Sequence, residues 1–122
     1  MKMSSRLYNV TIDARDPGAL AEFWRQALGY RVAFTEPNEV GIEPPDDPTG
    51  ACPALVFVPV PEGKVVKNRL HFDLAPDDQA AEVERLLALG AQRVDIGQRE
   101  APWVVMSDLE GNEFCVLSPR DR

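Results

Sequence analysis

The chain has 122 residues, with 13 Lys and Arg against 20 Asp and Glu and a net charge of −7. That length supports one domain rather than two, and the acidic balance argues against nucleic acid, whose phosphates it would repel. No apolar run approaches the ~20 residues of a membrane span, and MKMSSRLYN lacks the apolar region and cleavage site of a signal peptide, so a cytoplasmic location is expected.

The first strand is expected from Asn9 through NVTIDAR. Asp16 then reads as an N-cap, Pro17 as the first helical residue, and Gly29 as the left-handed stop of a helix reaching Leu28. Leu20, Phe23, Trp24, Ala27 and Leu28 recur on one side of that helix and form its apolar stripe. Beyond it the period shortens toward two, which predicts strands over Tyr30 to Glu36, Glu39 to Glu43 and Ala54 to Pro59. Pro37-Asn38 serves as a turn, PPDDPTG as a loop, and PVPEGKVVKNR as a link.

A second strand–helix unit starts at His71 with HFDLA. Its helix is expected from about Asp77 to Leu89, closed by Gly90, with Ala80, Val83, Leu86 and Leu87 buried. Strands are predicted over Gln92 to Ile96, Trp103 to Ser107 and Glu113 to Leu117, with Asp108 to Asn112 as the last turn. Set against each other, Asp16 to Gly29 and Asp77 to Gly90 match at both aspartates, Ala19/Ala80, Ala27/Ala88, Leu28/Leu89 and Gly29/Gly90. An internal duplication follows, with two β-α-β-β-β modules of about residues 7–60 and 69–118 in a single domain, residues 1–122. The expected fold is α+β, a cupped and mostly antiparallel sheet with the helices on its outer face and a ligand-sized hollow inside.

Cys52 and Cys115 have no CxxC spacing and read as reduced thiols. There is no phosphate-cradling loop or dinucleotide fingerprint, and no nucleophile elbow for a serine triad.

Taken together, the repeat, the run from Asp16-Pro17 through Phe23-Trp24 to Leu28-Gly29-Tyr30, the linker VPEGKVVKNRLHFDL and the terminal DLEGNEFCVL resemble the vicinal oxygen chelate superfamily. They are most similar to its glyoxalase-like, bleomycin-resistance-type branch. The resemblance implies a homodimer of paired modules and a cleft used for metal catalysis or small-molecule binding. Metal-using members draw His, Gln and Glu ligands from the first and last strands of each module. Those positions fall here on Asn9, on a residue of the apolar Ala54 to Val60 run, on His71 and on Cys115. Only His71 is a familiar ligand of that set, so a metal centre is not expected, with His71 and Cys115 as the fallback ligands of a divalent ion.

Strand alternation groups Asn9 with Thr11 and Asp13, His71 with Asp73, and Glu113 with Cys115, so Asp13, Asp73 or Glu113 offers a substitute ligand if the groups meet. His71, the sole histidine, is a candidate catalytic base or ligand-orienting group, or a packed imidazole. Trp103 suits ring stacking or an interface equally. Cys115 reads as a semi-polar wall residue, and Lys64, Lys67 and Arg69 as a solvated linker. The expected ligand set is Asn9, Thr11, Asp13, His71, Asp73, Trp103, Glu113 and Cys115, with no cofactor. The expected function is metal-independent binding of a small organic molecule, by sequestration or non-metal catalysis. The alternatives are a divalent-metal lyase, isomerase or dioxygenase, and an interaction module whose hollow is filled.

Overall fold

The computed structural model describes residues 5–47 and 52–120, and the chain divides into two compact units, Met1–Gly63 and Lys64–Arg122. Part of the PPDDPTG loop, residues 48–50, lies outside the described residues.

The first unit holds β1 (Asn9–Ala14), α1 (Pro17–Leu28), β2 (Arg31–Glu36), β3 (Glu39–Glu43) and β4 (Ala54–Pro59). At the start of α1 the Asp16 carboxylate accepts the Ala19 amide at 3.1 Å. At its end Gly29 takes a φ of 68°, a left-handed turn that returns its amide to the Arg25 carbonyl. Leu20, Ala21, Phe23, Trp24 and Ala27 are buried, and α1 packs them on β3 and β4, where Ile42 and Phe57 are fully buried. Each large side chain so covered contributes about 1.5–3 kcal/mol of transfer free energy.

Strand order in this unit is β1-β4-β3-β2, with β1 parallel to β4 and the other pairs antiparallel. A bulge interrupts the β2–β3 register between Val32 and Phe34, so that Val32 faces Ile42 while Phe34 faces Gly41. A Cβ at Gly41 would run into the Phe34 ring, which is why the ring is able to lie down on the strand there.

The second unit repeats the pattern with β5 (Phe72–Leu74), α2 (Gln79–Ala88), β6 (Gln92–Arg93), β7 (Val104–Ser107) and β8 (Glu113–Val116), in the order β5-β8-β7-β6. Again the outer first strand is parallel to its neighbour and the remaining pairs are antiparallel. The cap of α2 is Asp78, whose carboxylate accepts the Ala81 amide at 3.1 Å, one residue later than the repeat alone suggests. In this aspartate doublet the second member is the one spaced to reach the third helical amide.

Strand β6 also ends earlier than its apolar pattern predicts. Asp95 accepts the Gly97 amide at 2.8 Å and Gln98 accepts that of Ile96 at 2.8 Å, and these local bonds replace the ladder. Before β8, the Asp108 carboxylate accepts the amides of Glu110 and Asn112 at 2.9 and 3.0 Å, and Gly111 supplies a φ of 84°. That closed turn fixes where β8 begins. Both cysteines are free thiols.

Candidate functional site

In the second unit, Met106, Phe114 and Val116 are fully buried, and α2 contacts β6 and β8. Alternation therefore sends their neighbours Val105 and Cys115 to the other face of the sheet, and Asp73, directly opposite Cys115 across the parallel pair, joins them. His71 precedes β5 and comes back beside Asp73, with Nε2 3.3 Å from Oδ1. One ligand atom from each of His71, Asp73 and Cys115 lies within 4.8 Å of the others. His71 and Asp73 are exposed and Cys115 is buried.

Burial pushes the Cys115 thiol above its ordinary pKa, and the Asp73 carboxylate adds to this by its charge and by accepting the thiol's hydrogen bond, while Lys67 opposes them. Cys115 is consequently a neutral donor at pH 7. His71 turns Nε2 to Asp73. Asp73 is thus the hub, accepting from a thiol on one side and facing an imidazole on the other.

Glu113 shares the strand face of Cys115, yet its oxygens are engaged by the linker. Lys64 Nζ stands 2.8 Å from Oε2, and the Asn68 amide donates to Oε1 at 3.0 Å. Asn68 also donates its side-chain amide to Asn112 at 2.9 Å. Burial works to raise the Glu113 carboxyl, but Lys64 and the backbone amides outweigh it and hold it below the usual carboxylate range. The linker expected to be solvated therefore carries one clasp, at Lys64 and Asn68. Nothing local in the sequence ties Lys64 to a glutamate so far along the chain.

Trp103 stands just before β7 and is 40% exposed, while Gln79 Nε2 donates to the carbonyl of the preceding Pro102 at 2.9 Å.

In the first unit, Asn9, Thr11 and Asp13 lie on β1 opposite Ala54, Val56 and Val58 of β4, so the apolar run opposite them brings no ionisable group. Thr11 and Asp13 are exposed. Asn9 lines an open hollow of about 320 Å³ together with Ala54, Val56, Ala33 and Phe34. The structure thus gathers His71, Asp73 and Cys115 in the second unit, and in the first unit Asn9 lines a hollow.

The donor chemistry of the trio fits a small divalent ion: an imidazole nitrogen, a carboxylate and a thiol within one coordination sphere's reach. It would be a site built on Asp73, a residue outside the four positions that the resemblance implies.

The glyoxalase-like domain family matches residues 9–117. Among solved structures, a glyoxalase/bleomycin resistance protein/dioxygenase family enzyme from Burkholderia phytofirmans PsJN is similar with a TM-score of 0.71 and 21% identity, over 95% of this chain and 100% of that one. The fosfomycin resistance protein FosX from Listeria monocytogenes, complexed with Mn(II) and a dihydroxypropylphosphonic acid, gives a TM-score of 0.69 at 15% identity, over 97% and 93%. TnmS3, an antibiotic binding protein from Streptomyces sp. CB03234, gives 0.63 at 22% identity, over 98% and 100%. No curated protein matches the chain significantly. These structures share the fold, and the family match spans nearly the whole sequence: the chain belongs to the glyoxalase-like domain family of the vicinal oxygen chelate superfamily.

Proposed function

We propose that the protein binds a small organic molecule at the His71–Asp73–Cys115 face, without metal, either to sequester it or to act on it by proton transfer. One observation carries the reading: Asp73 accepts from a protonated Cys115 and stands 3.3 Å from Nε2 of the exposed His71. A ligand hydroxyl would find an acceptor in Asp73 and a candidate base in His71 on one strand end. Trp103 and Glu113 of the same unit belong to the proposed ligand set, with Glu113 acting through the linker it clasps. The antibiotic-binding neighbour supports the sequestration branch by its fold. A cytoplasmic homodimer arising from an internal duplication, with no nucleic-acid or membrane partner, is part of the same proposal; among the described residues no helix is long and apolar enough to cross a membrane. The test is protection of Cys115 from alkylation across a metabolite panel. A compound that slows alkylation and raises the melting temperature supports the reading; Cys115 protection by none of them, with His71→Ala equally inert, counts against it.

A second reading has a specific observation behind it, the approach of three donor atoms to within 4.8 Å. His71, Asp73 and Cys115 would hold a divalent ion, which when bound supplies Lewis acidity. A thiolate ligand favours zinc over manganese or magnesium. The metal-free reading is preferred because the positions at which metal-using members place His, Gln and Glu carry Asn9, an apolar residue of Ala54 to Val60 and Cys115 here, with His71 the one familiar ligand.

A further inference from the structure

Two contacts pin the chain just ahead of the His71 face. Lys64 Nζ stands 2.8 Å from Glu113 Oε2, while the Asn68 amide donates to Glu113 Oε1 at 3.0 Å and the Asn68 side chain donates to Asn112 Oδ1 at 2.9 Å. Asn112 is itself held, its side-chain amide donating to the Asp108 carboxylate at 3.1 and 3.0 Å. Residues 64–68 are thus a strap tied at both ends to the start of β8, the strand that carries Cys115 two positions beyond Glu113 and on the same face. Lys67 is the strap residue beside the Asn68 tie. Two positions of strand amount to about 7 Å, a gap that the flexible four-carbon stem of a lysine can bridge. Its ammonium acts on the Cys115 thiol, against burial and Asp73. Lys67 is exposed and, unlike Lys64, makes no ion pair among the described residues.

The face therefore offers an acceptor at Asp73 and an uncommitted cation at Lys67. A hydroxyl suits the first and an anion the second. Both charges act on the one thiol of Cys115, so the two contacts are a short ligand apart. We propose that Lys67, held at the His71–Asp73–Cys115 face by the strap, sets the charge of the ligand taken there, and that the ligand is a short hydroxy carboxylate with its hydroxyl on Asp73 and its carboxylate on Lys67. This rests on the ligand-binding reading of that face and adds the anion to it. A lysine is a compact charge with rotatable donors, so it selects for an anion without imposing the two-point geometry of a guanidinium.

Two reagents of opposite character test the cation without any ligand. In the full chain carrying Cys52→Ser, the alkylation rates of Cys115 by anionic iodoacetate and by neutral iodoacetamide are measured and their ratio taken. The same thiolate attacks both reagents, so the ratio reports the local charge and not the thiol pKa. In Lys67→Gln the ratio should fall about fivefold, the upper end of what one partly exposed ion pair contributes. Lys67→Arg should keep it, and Arg69→Gln, which removes the same charge from the far side of the Asn68 tie, should leave it unchanged. Lys67 is on the surface, so its loss is read in a folded protein. The ligand class is tested by the melting temperature of the parent chain with 2- and 3-hydroxybutyrate, their amides and butyrate. A hydroxybutyrate should raise it more than its own amide or butyrate does, and Lys67→Gln should bring acid and amide level. A ratio unchanged in Lys67→Gln, an equal fall in Arg69→Gln, or no rise with either hydroxybutyrate would each overturn the proposal. An amide that stabilises as well as its acid would also overturn it while sparing the reading of the face as a binding site. Failure of that reading appears instead as Cys115 protection by no compound at all, charged or neutral.

Discussion

Asp73 and Cys115 stand directly opposite each other on two parallel strands, and the thiol donates its hydrogen bond to the carboxylate. The contact makes the thiol's protonation depend on the carboxylate. Replacing Asp73 with Asn removes the negative charge that opposes thiolate formation and leaves only burial and Lys67 to set the thiol. With Cys52 replaced by Ser to silence the exposed thiol, alkylation of Cys115 should turn on only above the ordinary thiol range. In Asp73→Asn the midpoint should move down, raising the rate at pH 7.5 by roughly tenfold per pKa unit. An unchanged midpoint would show that Asp73 does not govern the thiol.

The same shift has a stability sign. The folded-state pKa of Cys115 lies above its unfolded value, so its contribution is complete below the ordinary thiol range and is lost as pH rises through the folded value. Urea midpoints measured across the alkaline range should fall less steeply in Cys115→Ala than in the parent chain.

Glu113 behaves in the opposite sense. Its folded pKa is depressed once Lys64 and the amides outweigh burial, so the stability it contributes is present above the ordinary carboxylate range and disappears as pH falls through the folded value. Glu113→Gln should cost about 1–3 kcal/mol at pH 7, because Lys64 is left without its partner in a mostly buried contact. Parent and variant should converge in acid. A gap that persists at low pH would assign the loss to packing rather than charge.

At Gly41 the prediction is steric. Gly41→Ala drives a Cβ into the Phe34 ring and should destabilise by about 1–3 kcal/mol, the usual range for overpacking. Adding Phe34→Leu should return most of that loss. A double-mutant cycle with no coupling between the two positions would place the ring elsewhere.

The aspartate doublet gives a test inside one helix. Asp78→Ala should cost about 1 kcal/mol because it removes the bond to the Ala81 amide, while Asp77→Ala should cost well under that. Thermal melts of the two variants distinguish them directly.

What could be read from residues alone follows from how local the governing interactions are. The helix from Pro17 to Leu28 is specified by its own cap, its proline and its glycine stop, and strands such as Glu39–Glu43 and Ala54–Pro59 by alternation and flanking turns. Asp77 against Asp78 is a choice that period and repeat leave open, since both carry the same side chain and only the register of the helix amides selects one. Strand β6 stops at Arg93 because the side chains of Asp95 and Gln98 capture nearby amides, a competition invisible in apolar periodicity. At the candidate site, the alternation of His71 with Asp73 is local, whereas the pairing of Asp73 with Cys115 requires the β5–β8 register. The clasp between Lys64 and Glu113, and the laying of Phe34 on Gly41, depend on the folded sheet in the same way.

The measurement that bears most directly on the central claim is elemental analysis of protein purified without chelator or affinity tag, repeated after loading with zinc, iron, manganese and nickel and removal of the excess. Metal-independent binding predicts no stoichiometric metal under any of these conditions, in the parent chain or in His71→Ala. About one tightly held ion per chain, lost in His71→Ala and in Asp73→Asn, would contradict it and make the trio a metal centre.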